Sequence, residues 1–301
     1  QFIQNNIDTV FQGNETNLLF YYPMIDENTT GNTLIDRTDN SDGTIVGATW
    51  QSEANAIQNI YYGSTEVPRV YKGDSLIYGE PLFDPTVIPN LHMWQDASQI
   101  TGLSNNDPVS NWSDLSGNNH DLIQTTSSQQ PLYKTNILNG LPALQFDGSN
   151  DFLVNTTSNT GNEITIFSVW RANALQTLAF FDTLGPTNRL FVFLISNGDL
   201  QYGGELGAQN FSGYSANAFN YSSIVFNPNN NTSQFRHNGN LLRSNDSVGN
   251  SVGLDGFRLG MRYTNEFFFN GYHMEFIVYD RALSSQEILD VENYLKDKWG
   301  L

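Results

Sequence analysis

Two carboxylates and an amide lie within five residues in the stretch Leu144–Val154, LQFDGSNDFLV. Ca²⁺ takes about six to eight oxygen ligands from such side chains and from backbone carbonyls, so Asp147, Asn150 and Asp151 are the predicted ligands of a Ca²⁺ ion. Asp and Asn also form turns by bonding to their own backbone, and no EF-hand pattern surrounds the cluster. We therefore interpret the cluster as a turn between two strands, with bound Ca²⁺ as the alternative. A second loop offers the same oxygens and the same two interpretations: Asp114, Asn118 and Asp121.

Carboxylates and histidines could also carry catalysis, but their spacing does not predict it. Glu275 and Asp280 are five residues apart in a strand-like segment, so alternation places their side chains on opposite faces. The histidines are not accompanied by a G-x-S-x-G nucleophile elbow, and His237 and His273 are interpreted as polar surface or packing residues. No catalytic residues are predicted, and we expect the chain not to be an enzyme.

Composition and charge exclude several classes of protein. With 13 Lys and Arg against 31 Asp and Glu, the net charge of −18 repels phosphate backbones, so nucleic acid is not a predicted partner. We find no run of about 18 apolar residues, which predicts no membrane insertion, and there are no cysteines for disulfides or thiolate zinc sites. Few charged residues and many Asn, Ser and Thr are typical of an extracellular or virion-exposed β protein.

Aromatic residues are concentrated at two places in the second half of the chain. Residues 201–221 carry four rings among Gly, Ser and Asn, which is typical of an adaptable contact surface. The predicted ligand-binding residues are these four: Tyr202, Phe211, Tyr214 and Tyr221. The alternative is that the rings pack in the core. Phe267, Phe268 and Phe269 form the predicted interface, because at least one of three consecutive strand residues must point away from the core.

Short segments rich in β-branched and aromatic residues, separated by turn clusters, predict antiparallel strands. They are 163–171, 189–195, 221–226, 256–262 and 272–280. Asn238-Gly239 is the strongest hairpin signal, since both residues readily accept positive φ. The pattern predicts an all-β fold, a two-sheet antiparallel jelly-roll sandwich.

One helix is predicted near the C-terminus. Ser284 and Glu287 form an S-x-x-E capping box, and apolar residues follow at helical spacing: Ile288, Val291 and Leu295. We expect this helix to lie across one edge of the sandwich, with Trp299 as its anchor.

The region before residue 90 differs in pattern. Two short strand signals flank the turn at Lys72-Gly73-Asp74, and prolines at 81, 85 and 89 then predict an extended connector, because each fixes φ and disfavours helix before it. The chain opens without Met, which predicts a processed product or part of something longer. The predicted division is 1–56 as a small β region, 57–89 as a β connector with a Pro-rich linker, and 90–301 as the main domain.

Four blocks together resemble the laminin-G-like, concanavalin A-like lectin and glucanase superfamily. They are LHMWQDASQITG (91–102), VSNWSDLSGNNHDLIQ (109–124), PLYKTNILNGLPALQFDGSNDFL (131–153) and HMEFIVYDRALSSQEILDVENYLKDKWGL (273–301). The resemblance implies a jelly roll over 90–301 whose first and last strands are neighbours. The E-x-D-x-x-E strand of the glucanase branch and the Arg-rich and Gln-x-His strands of the alginate-lyase branch are not found.

Two further segments carry weaker resemblances. Residues 1–50 look like the end of a preceding laminin-G-like module, and residues 57–79 are similar to small β segments of bacteriophage virion proteins. The resulting hypothesis is a non-enzymatic attachment protein on a virion or cell surface that binds a glycan or protein receptor. Other subunits of that assembly and a second copy of the chain are further expected partners. The alternatives are a decoration protein of a capsid, fibre or filament that binds only its neighbours, and a carbohydrate-active enzyme of the same fold.

Overall fold

The structure, a computed structural model, describes residues 83–157, 163–185, 189–195, 198–204, 207–212, 214–227, 232–246 and 256–301, together with six short strands before residue 80. The chain divides into two compact units, Gln1–Pro81 and Leu82–Leu301. The strands of the first unit are β1 (Thr33–Leu34), β2 (Gly43–Thr44), β3 (Ile60–Tyr62), β4 (Thr65–Val67), β5 (Val70–Lys72) and β6 (Ser75–Tyr78). They form three antiparallel pairs, β1 with β2, β3 with β4 and β5 with β6. The resemblance of 1–50 to a preceding module otherwise lies outside the described residues.

The strands and helix of the second unit have the following bounds: β7 (Leu91–Asp96), β8 (Asn111–Trp112), β9 (Leu122–Ile123), β10 (Leu132–Leu138), β11 (Leu141–Asp147), β12 (Leu153–Asn155), β13 (Ile164–Ala172), β14 (Leu178–Thr183), β15 (Leu190–Leu194), β16 (Leu200–Gly204), β17 (Gly207–Phe211), β18 (Asn220–Phe226), β19 (Ser233–His237), β20 (Asn240–Asp246), β21 (Phe257–Leu259), β22 (Asn270–Tyr279) and α1 (Ser285–Trp299). Short 3₁₀ turns span Pro85–Val87, Ala97–Gln99 and Ser127–Gln129.

These strands form two antiparallel sheets of eight strands each, which confirms the predicted two-sheet sandwich. The first sheet has the order β10-β11-β22-β13-β18-β19-β20, and β7 also pairs with β22; the second has the order β17-β16-β15-β14-β21-β12-β9-β8. The pairing of β7 with β22 makes the first and last strands of the sandwich neighbours, as the resemblance implied. The predicted hairpin is also confirmed, because Asn238 (φ +47°) and Gly239 (φ +78°) join β19 to β20.

The centre of the first sheet is buried on both faces. Every residue of β18 and residues Ile164–Trp170 of β13 are buried. The inner face packs against the second sheet through residues such as Ile166 and Phe276, and the outer face packs against α1 through Val169 and Ile277. Strands buried on both faces tend to be apolar throughout instead of alternating. Here β13 is mostly apolar, whereas β18 also buries the polar residues Asn220, Ser222 and Ser223.

Helix α1 begins and ends as its sequence predicts. The Ser284 hydroxyl accepts the backbone N–H of Glu287, the Glu287 carboxylate accepts the backbone N–H of Ser284, and Gly300 follows the helix at φ +69°. Its apolar stripe is buried: Ile288, Val291, Leu295 and Trp299. The helix was predicted to lie across one edge of the sandwich, but it covers the outer face of the first sheet. Its apolar stripe packs there against the apolar residues that β13 and β22 direct outward.

Residues 83–89, predicted to be linker, belong to the second unit instead. Asp84 caps a 3₁₀ turn with Pro85 at its first position. The Tyr279 hydroxyl donates to the carbonyl of Pro85 at 2.9 Å, and Ile88 is buried in the cluster under α1. Pro85 therefore belongs to a segment that packs on the sandwich.

Replacing Gly271 by Ala should strongly destabilise the sandwich. A Cβ at this position in β22 would lie 2.1 Å from the carbonyl oxygen of Arg171 and 2.7 Å from the Phe269 ring, so backbone would have to move. Gly185→Ala is the matched control, because a Cβ there meets nothing within 4 Å. Urea unfolding should show a loss of about 2 kcal/mol or more for the first variant and less than about 0.5 kcal/mol for the second. Equal stabilities would contradict this packing.

The buried His273 should make the fold sensitive to mild acid. It lies among Phe146, Phe180 and Phe269, and burial lowers its pKa to about 3. An unfolded histidine titrates near 6.5, so lowering the pH from 7 to 5 protonates the unfolded state alone and reduces the free energy of unfolding by about 2 kcal/mol. In the variant His273→Leu, the decrease between pH 7 and pH 5 should be smaller by that amount. The same decrease in both proteins would show that His273 is accessible to protons in the native state.

Candidate functional site

The tyrosines predicted to bind ligand are part of the core. Tyr202 is fully buried, and Tyr214 and Tyr221 are each 8% exposed. Residues 200–204 and 207–211 are strands, and their alternation turns Tyr202 inward onto Phe235. Tyr214 exchanges hydrogen bonds with the backbone of Ala172. The prediction of an exposed contact surface is therefore wrong for these three residues.

The fourth predicted residue, Phe211, ends strand β17, and its side chain lies outside the described residues. The stretch was interpreted as a loop because it is rich in Gly, Ser and Asn. In the structure, residues 201–204 and 207–211 belong to two antiparallel strands of the second sheet.

The cluster at Asp147–Asp151 forms a turn between β11 and β12. One oxygen of Asp147 accepts the backbone N–H groups of Ser149 (2.7 Å) and Asn150 (3.2 Å), and Asp151 accepts the N–H of Asp147 (2.9 Å). Burial, with the nearby charge of Asp147, raises the pKa of Asp151 to about 6. One oxygen of each carboxylate takes no part in these bonds, so a Ca²⁺ ion there would need most of its ligands from carbonyls and water.

The second acidic loop uses its carboxylates to hold its own backbone. Asp114 accepts the N–H groups of Trp94, Ser116 and His120, at 2.8 to 2.9 Å. Asp121 accepts the N–H of Asp114 and the side-chain amide of Asn111, and the Asn118 amide donates to the carbonyls of residues 91 and 92. Within the described residues, no group of three or more His, Cys, Asp or Glu side chains is placed to hold a metal ion.

A surface on the outer face of the second sheet combines arginines with aromatic rings. We call it the Arg–Phe surface, and it consists of Arg189, Phe191, Phe193, Arg262, Tyr263 and Phe267. Strand β15 alternates, so its Leu190, Val192 and Leu194 enter the core between the sheets. Phe191 and Phe193 are directed to the other side and form a separate apolar cluster with Ala179.

An ion pair anchors this surface. The Arg189 guanidinium donates from Nε and Nη2 to the two oxygens of Asp182, at 2.9 and 2.8 Å. Asp182 is fully buried and also accepts the backbone N–H groups of Thr183 and Tyr263. Burial raises the pKa of Asp182, and the hydrogen bonds and charge of Arg189 oppose that rise. The pair fixes the plane of the guanidinium, since both of its bonds must be met at once.

The fixed guanidinium lies against three rings. Its carbon atom is 4.2 Å from the ring centroid of Phe191, 4.7 Å from Tyr263 and 5.3 Å from Phe193. A second arginine, Arg262, lies 5.5 Å from Tyr263 and 5.4 Å from Phe267. Arginines at these distances are attracted by the negative faces of the rings, so the surface alternates cations and rings.

Phe267 is the exposed part of the surface. Its side chain is 37% exposed, and its backbone has a φ of +54°, a conformation that bulky residues rarely adopt. The carbonyl of Phe267 accepts the N–H of Ala179, and the hairpin that carries it is closed by a bond from Arg262 N–H to the Glu266 carbonyl. Such strain persists where the surroundings hold it, and it is concentrated at functional sites.

The predicted interface at Phe267–Phe269 divides into three environments. Phe267 is exposed, Phe268 is partly exposed and Phe269 is fully buried against Phe146 and Phe180. At least one of the three rings does point away from the core. Whether it meets a partner remains a prediction.

Arg258 contacts the hairpin that carries Phe267. It donates to the side chain of Asn265 at 2.7 Å, and no carboxylate pairs with it in the part of the chain that the structure describes. Arg189 is paired with Asp182 and Arg262 lies 3.5 Å from Glu266, so Arg258 is the unpaired cation among these three arginines in the described residues.

The buried carboxylates of the second unit are bound by other side chains. Glu292 accepts from Ser223 and Arg236, and Asp96 and Glu275 both accept from Lys298. The described residues show no two facing carboxylates free to act as acid and base across an open cleft.

No protein-family model matches the sequence, and no curated protein matches it. Among solved structures, the chain is similar to the sialidase of Trypanosoma rangeli in complex with sialic acid, with 14% identity and a TM-score of 0.53 over 73% of this chain and 34% of the sialidase. It is also similar to the W1252A mutant of HCR D/C VPI 5995, with 14% identity and a TM-score of 0.51 over 68% of this chain and 52% of that one. These likenesses show a shared sandwich fold. The chain spans about a third of the length of the sialidase and about half of the length of the second protein.

Replacing Arg189 by Lys should destabilise the Arg–Phe surface although the charge is kept. Lysine cannot bond both oxygens of Asp182 or stack flat on the rings, so we expect a loss of about 1–3 kcal/mol in the free energy of unfolding. Arg262→Lys is the control, because its contact with Glu266 is 3.5 Å long and more exposed and should cost less than about 1 kcal/mol. Similar losses in chemical denaturation would show that the bidentate pair is not special.

Proposed function

We propose that the chain is a non-enzymatic attachment module of a virion or cell surface and that it binds its receptor through the Arg–Phe surface. The observation that carries this proposal is Phe267, an exposed ring in a strained backbone conformation beside the guanidinium of Arg262. An exposed aromatic with arginine neighbours is typical of an interaction hot spot.

An acidic glycan is the receptor chemistry that this surface favours. A sugar ring can lie on the aromatic face of Phe267, and a carboxylate on the sugar is a natural partner for guanidinium groups. Arg258 has no carboxylate partner in the described residues, although the chain as a whole is strongly acidic. The sialidase with this fold was solved with sialic acid, which makes sialylated glycans a reasoned first probe.

The central experiment compares Phe267→Ser with Leu289→Ser. Both residues are exposed, at 37% and 40%, but Leu289 lies on α1 and outside the Arg–Phe surface. A glycan array and biolayer interferometry with sialylated, uronate-containing and neutral oligosaccharides should show binding of acidic glycans, weakened at least about tenfold by Phe267→Ser alone. Equal affinities of the two variants, or no glycan bound at all, would contradict the proposal. Binding to a protein of the same assembly in the absence of glycan binding would favour the decoration alternative.

The Ca²⁺ prediction is tested in the same assay with a chelator. If Asp147, Asn150 and Asp151 hold a Ca²⁺ ion on which glycan binding depends, EDTA should reduce that binding. Added Ca²⁺ should then restore it in the parent chain but not in Asp147→Asn. Unchanged binding with EDTA would leave the cluster as a turn alone.

The carbohydrate-active enzyme remains the alternative from another class. It is separated from the attachment module by incubating bound oligosaccharides with the protein and analysing products by mass spectrometry. We expect intact glycans, because the buried carboxylates are engaged with Lys298, Arg189 and Arg236. Released sugars would establish the enzyme.

A further inference from the structure

A cavity of about 240 Å³ opens on the rim of the sandwich. It lies between the end of β7 with the 3₁₀ turn that follows it and the segment 108–115, which contains β8. The residues around it belong to these two stretches: Asp96, Gln99, Ile100, Thr101, Leu103, Pro108, Ser110, Asn111, Trp112, Ser113 and Leu115. None of them belongs to the Arg–Phe surface.

Backbone bonds hold both walls in place. Asp96 accepts the N–H and hydroxyl of Ser98 and so caps the 3₁₀ turn, which closes with a bond from Ile100 N–H to the Ala97 carbonyl. On the other wall, the N–H of Leu115 donates to the carbonyl of Trp94 at 2.7 Å. A pocket with fixed walls loses little entropy when a ligand enters it.

The floor is apolar and the rim is polar. Trp112 is fully buried, and Ile100, Leu103 and Leu115 are partly buried. Around them stand exposed side chains with hydroxyl or amide groups: Gln99, Thr101, Ser110, Asn111 and Ser113. The accessible lining is more polar than apolar, which suits a ligand that is rich in hydroxyl groups.

Three hydroxyl groups of the rim are free to meet a ligand. In the described part of the chain, the hydroxyls of Thr101, Ser110 and Ser113 bond to no protein group. The buried indole N–H of Trp112 likewise has no acceptor among the described residues. This indole N–H is itself fully buried, so the groups that an entering ligand can meet are the three hydroxyls.

The cavity has little net charge. Asp96 is the ionisable residue of its lining, and its carboxylate is bonded to the ammonium group of Lys298. An ion entering the cavity would therefore meet no unpaired opposite charge, whereas a neutral polyhydroxy compound would meet hydroxyl and amide groups.

We infer that this cavity is a binding site for one neutral sugar ring. Its volume lies just below the range of about 300–1,000 Å³ that is common for drug-sized ligands, which suits a single ring. The apolar floor takes the C–H face of the ring, and the rim groups bond its hydroxyls. This site is independent of the Arg–Phe surface and differs from it in preferring an uncharged ligand.

The test is an NMR titration of the full chain with methyl glycosides of glucose, galactose and mannose. A ligand of about a dozen non-hydrogen atoms is expected to bind with a Kd of about 1 mM. At least one glycoside should shift the Trp112 indole N–H signal saturably, together with the amides of residues 99–103 and 110–113. No saturable shift of these signals up to about 50 mM would overturn the inference.

Two variants link the shifts to the cavity. Ser113→Phe places a ring at the exposed rim and should weaken binding at least tenfold. Thr101→Val removes one exposed hydroxyl at nearly constant size and should also weaken binding. Circular dichroism and the amide spectrum are recorded for both variants to show that they fold. Phe267→Ser should leave the neutral glycoside titration unchanged, so failure of the Arg–Phe surface and failure of this cavity are distinguishable. Unaltered affinity in a folded Ser113→Phe protein would overturn the assignment of the site.

Discussion

The carboxylate of Glu275 accepts four hydrogen bonds in the interior between the first sheet and helix α1. One comes from Trp94 on β7, and three come from the helix, from Tyr294, Lys298 and Trp299, at 2.7 to 2.9 Å. Burial raises the pKa of Glu275, and the charge of Lys298 opposes that rise. A buried carboxylate is tolerated only when its oxygens are satisfied in this way, so the three helix donors, together with the apolar stripe, constrain the position of the helix on the sheet.

The same interaction reaches the rim of the sandwich. Glu275 lies opposite Asp96 in the pairing of β22 with β7, and Lys298 bonds both carboxylates. The other oxygen of Asp96 caps the 3₁₀ turn that forms one wall of the cavity. Helix, sheet and cavity are therefore connected by a continuous set of charge-assisted bonds. A shift of α1 on the sheet would alter the bonds of Asp96 and hence the wall of the cavity.

The sequence predicts well those elements of the fold that depend on residues close together in the chain. The capping box at Ser284, the Asn238-Gly239 turn and the apolar runs of β13, β15, β18 and β22 all follow from neighbouring residues, and the resemblance over 90–301 placed β7 beside β22. The contact surface was misplaced for a physical reason. Glycine and asparagine between Tyr202 and Tyr221 are typical of loops, but here they lie largely in strands whose alternation buries the rings.

The Arg–Phe surface joins residues that are near and far apart in sequence. Arg189 directly precedes β15 and is seven residues from Asp182, whereas Tyr263 is 81 residues from Asp182 and is brought to it by the sheet. The one available signal was the isolated charge of Asp182 in an otherwise apolar strand, since such a charge needs a partner when it is buried. That signal predicts that a partner exists but not which of the arginines it is.

The position of β22 also determines the order in which this protein can be completed during synthesis. This strand leaves the ribosome after the other strands of its sheet, yet it lies in the middle, where it pairs with β7, β11 and β13. Trp94 and its acceptor Glu275 are 181 residues apart in the chain, and contacts so distant in sequence form slowly. At translation rates of about 5–20 residues per second, the apolar edge of β13 stays open for several seconds, which makes the nascent chain a natural client for chaperones.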